Sequence, residues 1–183
     1  MLKVNRKPTI YMFCFFFVII ASVGAAADNM FICDLTSNSI GPKPADTEAN
    51  GSAIFLLDES KQELTYKLLV EKIEDAYMAH LHIGPADKEG QMAVWLYPLP
   101  GHDSAKRIIE GEFNGTLAEG VISPEDLKNG VTFEELIEAL RNDNAYVNVH
   151  TEKFVMGAIR GQVQSEQYTS HMERLPTAAG PDE

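Results

Sequence analysis

Cysteine, tryptophan and histidine are scarce in this sequence, with two, one and five residues among 183. Cys14 falls in an uncharged N-terminal run, which leaves Cys33 alone in the remainder and excludes a fold stapled by an intramolecular disulfide. Cys33 reads as an unpaired thiol in a flexible segment or as an intermolecular bridge. Met30, Phe31 and Ile32 before it are too large for a lipid-attachment cleavage site. The chain also lacks a G-x-S-x-G elbow, a Walker loop and an H-E-x-x-H helix, so no familiar nucleophile, phosphate cradle or zinc-protease motif is present. Positive charge is the further shortage: 15 Lys and Arg stand against 27 Asp and Glu, a formal net charge of −12. Nucleic acid and anionic membrane are therefore excluded as expected partners. The acidic residues are dispersed, without the D-x-D-x-D-G order of a calcium loop.

What is present begins with Lys3, Arg6 and Lys7 ahead of IYMFCFFFVIIASV and then GAAAD. A charged region, an apolar region and small residues at Ala25-x-Ala27 predict a signal peptide over 1–27, cut after Ala27. An uncleaved anchor over Pro8 to Ala27 is the alternative, since about 20 apolar residues span a bilayer. Either way the basic flank stays inside and the rest is exported, so the expected location is secreted, periplasmic or cell-surface, with no membrane contact after cleavage. Loss of those three basic residues leaves 12 against 27, a net charge of −15. Asn50-Gly51-Ser52 and Asn114-Gly115-Thr116 are glycosylation acceptors in a eukaryotic source.

Residues 28–50 carry polar residues with Pro42 and Pro44 and read as a flexible leader; residues 165–183 read as a disordered polar tail. Between them, residues 51–164 show a dominant period of two: Ala53, Phe55, Leu57; Leu64, Tyr66, Leu68, Val70; Tyr77, Ala79, Leu81, Ile83; Met92, Val94, Leu96; Val147, Val149. Short alternating segments divided by turn residues predict an all-β, antiparallel sandwich or barrel of about seven or eight strands. One stretch departs from this. Ser123-Pro124-Glu125-Asp126 predicts a single capped turn, and the capping box Thr132 to Glu135 leads into a short connecting α-helix with Phe133, Leu136, Ile137 and Leu140 on one face.

Strand periodicity gives the histidines a direction. In YMAHLHIG the aliphatic Ala79, Leu81 and Ile83 face one way, so Met78, His80 and His82 face the other. In AYVNVHT the same rule sets Tyr146, Asn148 and His150 opposite Ala145, Val147 and Val149. Residues i and i+2 are about 6.6 Å apart along a strand, and imidazole nitrogens meet a metal ion at roughly 2.0–2.1 Å. His80 and His82 therefore form a two-point clamp, His150 a third ligand, and His102 in the loop PGHD a candidate fourth. Neutral imidazole suits copper and zinc. The alternative is structural: the three rings bond to neighbouring strands and hold the outer face. Arg160, in AIRGQV, is either a structural partner of a carboxylate or carbonyl or a charge that steers an anion toward the histidines.

GSAIFLLDE, LTYKLLVEKI, AHLHIGPADKEGQMAVWL, EGEFNGTL with ISPEDL, and YVNVHTEKFVMGAIRGQV together resemble the CHRD domain, the module named after chordin. The resemblance implies a secreted Greek-key β-sandwich of the immunoglobulin or superoxide-dismutase kind. It also implies an extracellular binding or surface-associated module without catalytic activity, whose partner is an extracellular protein or surface ligand. A looser similarity is to Cu/Zn superoxide dismutase, through the order His80, His82, His102, His150, Arg160. The zinc-binding loop and intrasheet disulfide of that family are absent. What this similarity implies is copper or zinc binding on the histidine face, or a copper-dependent redox enzyme.

Overall fold

The computed structural model describes residues 29–37, 44–98 and 108–165. Eight strands are described: β1 Met30–Thr36, β2 Asn50–Asp58, β3 Glu63–Ile83, β4 Gln91–Tyr97, β5 Ile109–Ile122, β6 Ala145–Thr151, β7 Ile159–Gln162 and β8 Gln164–Ser165. A 3-10 turn at Pro124–Asp126 and a helix α1 at Phe133–Arg141 lie between β5 and β6. All described strand pairings are antiparallel.

The long strand β3 organises the sheet. Its first half alternates Leu64, Tyr66, Leu68 and Val70 into the core and pairs with β2 on one side and β5 on the other. Register shifts between Val70 and Ile73 and between Glu74 and Ala76 bend it, with Lys72 and Asp75 at φ of 52° and 50°. The Asn114 side chain accepts from Lys72 N–H and the Asp75 carboxylate from Gly111 N–H, which binds the bend to β5. The second half, Ala76 to Ile83, then pairs with β6 and β4. Since β6 pairs with β7, β7 with β1, β1 with β2 and β2 with β3, the strands close on themselves as a barrel-like sheet. Phe31, Leu35, Phe55, Leu68, Leu81 and Leu96 fill it. Each such side chain, fully buried, contributes roughly 1.5–3 kcal/mol.

The helix occupies the predicted residues because its signals are local. Thr132 Oγ1 accepts from Glu135 N–H while the Glu135 carboxylate accepts from Thr132 N–H. Phe133, Leu136, Ile137 and Leu140 turn their common face onto the core. At the turn before it, Asp126 accepts from both the backbone and the hydroxyl of Ser123.

The leader reading of 28–50 is corrected at both ends of that segment. Met30–Thr36 forms β1, paired over its whole length with β2 from Met30↔Leu56 to Thr36↔Asn50. Phe31, Cys33 and Leu35 point inward, so the folded unit begins near Met30 rather than Gly51. Cys33 is accordingly a buried core thiol, neither in a flexible segment nor available for a bridge between chains; burial pushes its pKa up to about 12. Signal peptide 1–27, His102 and tail residues 166–183 lie outside the described residues. Both sequon asparagines, Asn50 and Asn114, are exposed.

Candidate metal centre

Cross-strand register assembles one face of the sheet from four strands. His80 lies opposite Asn148 of β6 and Trp95 of β4; His82 lies opposite Tyr146 and Met92; Met78 lies opposite His150. Arg160 and Gln162 of β7 continue the rows beyond Asn148 and Tyr146. Directly paired residues share a face, so the predicted His80, His82 and His150 do come together.

The rings are in contact. The His80 centroid is 5.1 Å from that of His150 and 5.7 Å from that of His82. Trp95 meets His80 edge-on at 4.3 Å, while Tyr146 stacks on His82 at 4.7 Å with 10° between planes. The Arg160 guanidinium carbon stands 4.6 Å from the Tyr146 ring centre.

Most of this layer is covered: His80 is 7% and His150 8% exposed, and His82 is half-buried. Two loops supply the cover through their backbones. Nδ1 of His82 bonds to Gly90 O at 3.1 Å, and Nδ1 of His150 to Val155 O at 2.9 Å. A carbonyl can only accept, so both Nδ1 atoms carry the proton and both Nε2 atoms carry the lone pair. A backbone carbonyl fixing one ring nitrogen is the arrangement that orients metal-ligating histidines. His150 Nε2 is 3.0 Å from the Asn148 amide nitrogen, which also donates to Met156 O. The buried Nε2 atoms of His80 and His82 have no partner.

Burial holds all three imidazoles below the ordinary histidine pKa. For His80 it is pushed down to about 3, first by desolvation and then by His150 and His82. For His82 and His150 desolvation again leads, opposed by the carbonyls of Gly90 and Val155. All three are neutral at pH 7, the form that binds metals.

Two imidazoles bound to one ion at about 2.0–2.1 Å have centroids no more than about 6.4 Å apart, which both measured separations satisfy. As placed, however, no group of three His, Cys, Asp or Glu among the described residues is drawn up around one point. Closing on an ion requires the imidazoles to turn, and Asn148 keeps its bond to Met156 O when His150 Nε2 is withdrawn. The donor types and the orphaned Nε2 atoms of His80 and His82 are those a metal site would use, while the side chains as placed do not gather around an ion.

Arg160 anchors the first covering loop, donating from Nη1 to Ala86 O at 3.1 Å and Lys88 O at 3.3 Å. Gln162 holds the same loop by accepting from Ala86 N–H at 2.7 Å. In the second loop Gly157 has φ of 126°, and a Cβ there would overlap Asn148 Oδ1. Glycine lets this loop approach the histidine row.

Trp95 is a site residue that the sequence reading did not single out, and Met92 is one that alternation misassigned to the core face. A register shift between Leu81 and His82 takes Met92 out of phase with Val94 and Leu96 and sets it on the histidine face beside Trp95. A surface cleft of about 450 Å³ lies elsewhere, lined by residues that include Glu48, Lys72, Asp75, Glu112 and Lys153 but none of the histidines.

A family model described as CHRD domain matches residues 31–163. No curated protein and no solved structure matches the chain.

Proposed function

The chain belongs to the CHRD-domain family, and from that premise we propose an exported, non-enzymatic binding module that holds a copper or zinc ion through His80, His82 and His150. One observation carries the reading: Nε2 of His80 and His82 are buried and unpartnered. An unsatisfied buried polar atom costs roughly 1–3 kcal/mol, so two on adjoining rings favour a bound ligand. The carbonyl bonds at Nδ1 of His82 and His150 support it by presenting lone pairs inward.

Binding is favoured over redox turnover because the two covering loops leave His80 and His150 almost no exposure, whereas a catalytic metal keeps a position open to substrate. Export rests on the basic and apolar N-terminal segment together with a family module of extracellular type. A further extracellular protein or surface ligand remains part of the proposal, as does the Greek-key sandwich reading of the barrel-like sheet, which the return of β6 beside β3 supports.

Metal analysis and equilibrium titration with Cu(II), Cu(I) and Zn(II) test it, comparing the natural chain with the His80→Ala, His82→Ala double variant. One equivalent bound by the natural chain and lost in the variant is expected. Equal binding by both would remove the site.

A further inference from the structure

Resting on that reading of the histidine face, we infer that the site is selective for Cu(I): its donors and its surrounding charge suit a soft monovalent cation better than Zn(II) or Cu(II). Three features of the layer argue this together.

The first is charge. Among the described residues no carboxylate or thiolate bonds to any of the three rings: their partners are the carbonyls of Gly90 and Val155, the Asn148 amide and aromatic rings. The charged groups felt at His82 are Arg160 and, more weakly, Glu89, which is exposed. A dication would therefore sit beside a guanidinium with only the exposed Glu89 carboxylate to compensate it. The repulsion from Arg160 scales with the product of the charges and is halved for a monovalent ion.

The second is softness. Thioethers select Cu(I) over harder cations, and register puts Met92 directly across from His82 and Met78 directly across from His150 on the same face. Met156, whose carbonyl accepts from Asn148, exposes 70% of its surface on the loop that covers His150.

The third is the lack of hard ligands on this face among the described residues. Tetragonal Cu(II) sites favour nitrogen with oxygen donors, and catalytic zinc adds a water to three protein ligands. The layer offers nitrogen and sulfur, with His80 and His150 buried and His82, Met78 and Met92 half-buried.

The test is an anaerobic titration of the full chain with Cu(I) against a coloured cuprous chelator, beside Zn(II) against a zinc indicator and Cu(II) by equilibrium dialysis. One Cu(I) per chain is expected, with Zn(II) and Cu(II) bound on the order of 100-fold more weakly. His82→Gln should abolish Cu(I) binding. Met92→Leu, which keeps the volume and apolar character of the position, should weaken Cu(I) on the order of tenfold while leaving Zn(II) unchanged. Circular dichroism establishes that each variant is folded; if His82→Gln is not, Met92→Leu carries the test alone. Binding of Zn(II) or Cu(II) at the histidines as tight as Cu(I), or a Met92→Leu chain with unaltered Cu(I) affinity, overturns the selectivity and leaves the metal site standing. Failure to bind any of the three ions overturns both.

Discussion

Replacing Phe31 by alanine discriminates sharply between a strand and a leader at the start of the folded unit. Phe31 is buried in the core on β1, whose pairing with β2, β7 and β8 helps close the sheet. Deleting a buried phenylalanine ring costs about 3–5 kcal/mol through lost transfer energy and the cavity left behind. That is a large part of the roughly 5–15 kcal/mol that holds an ordinary domain together. For a unit of this size it lowers Tm by on the order of 10 °C. Urea and thermal unfolding are followed by the fluorescence of the single tryptophan, Trp95, which sits against His80 and reports on the opposite part of the sheet. Leu56→Ala is the control: Leu56 lies on the neighbouring strand but is 49% exposed, and its replacement should change stability by less than about 1 kcal/mol. Equal midpoints for Phe31→Ala and Leu56→Ala would refute β1 as part of the core.

The metal-free chain should lose stability as the pH falls. Its three histidines have folded pKa values below 6.5, so the unfolded state takes up protons first and stability, intact above pH 6.5, declines below it. His80 alone accounts for about 2 kcal/mol between pH 7 and 5; an unchanged urea midpoint over that interval would contradict its burial as a neutral ring. Cys33, with its thiol pKa raised to about 12, should resist a thiol-specific reagent at pH 8 until the chain is unfolded, and immediate labelling of the folded protein would contradict its place in the core. Gly157→Ala should destabilise by about 1–3 kcal/mol, because it strains a backbone at φ of 126° and displaces the Asn148 side chain. A neutral outcome there, by thermal unfolding, would mean that the loop approaches the histidine row less closely than described.

Local and periodic features were legible in the sequence. The alternation of Ala53, Phe55 and Leu57 and of Leu64 to Val70 marked β2 and the first half of β3, and the capping box at Thr132 marked α1, because neither signal needs a distant partner. Period two also set His80, His82 and His150 on a common face. β1 was hidden because Met30 and Ile32 blur the alternation of its inward Phe31, Cys33 and Leu35, and the short run is followed by polar residues and prolines. β5 was hidden for the opposite reason: much of Ile109–Ile122 is exposed and only Leu117, Ala118 and Ile122 are buried. The shift that brings Met92 to the histidines is a property of pairing between strands, which no single strand announces. The covering loops were invisible as site elements, since Gly90 and Val155 act through backbone carbonyls that every residue possesses.

Nitrogen-15 spectra of the histidine side chains test the metal centre most directly, because they observe the orphaned atoms themselves. The metal-free chain should show His82 and His150 as Nδ1–H tautomers. One equivalent of Cu(I), or of Ag(I) as its redox-inert counterpart, should shift Nε2 of His80, His82 and His150 together at a stoichiometry of one. Protonated Nε2 on His82 or His150 before metal is added, or Nε2 signals that stay in place while the ion binds elsewhere, would contradict the account.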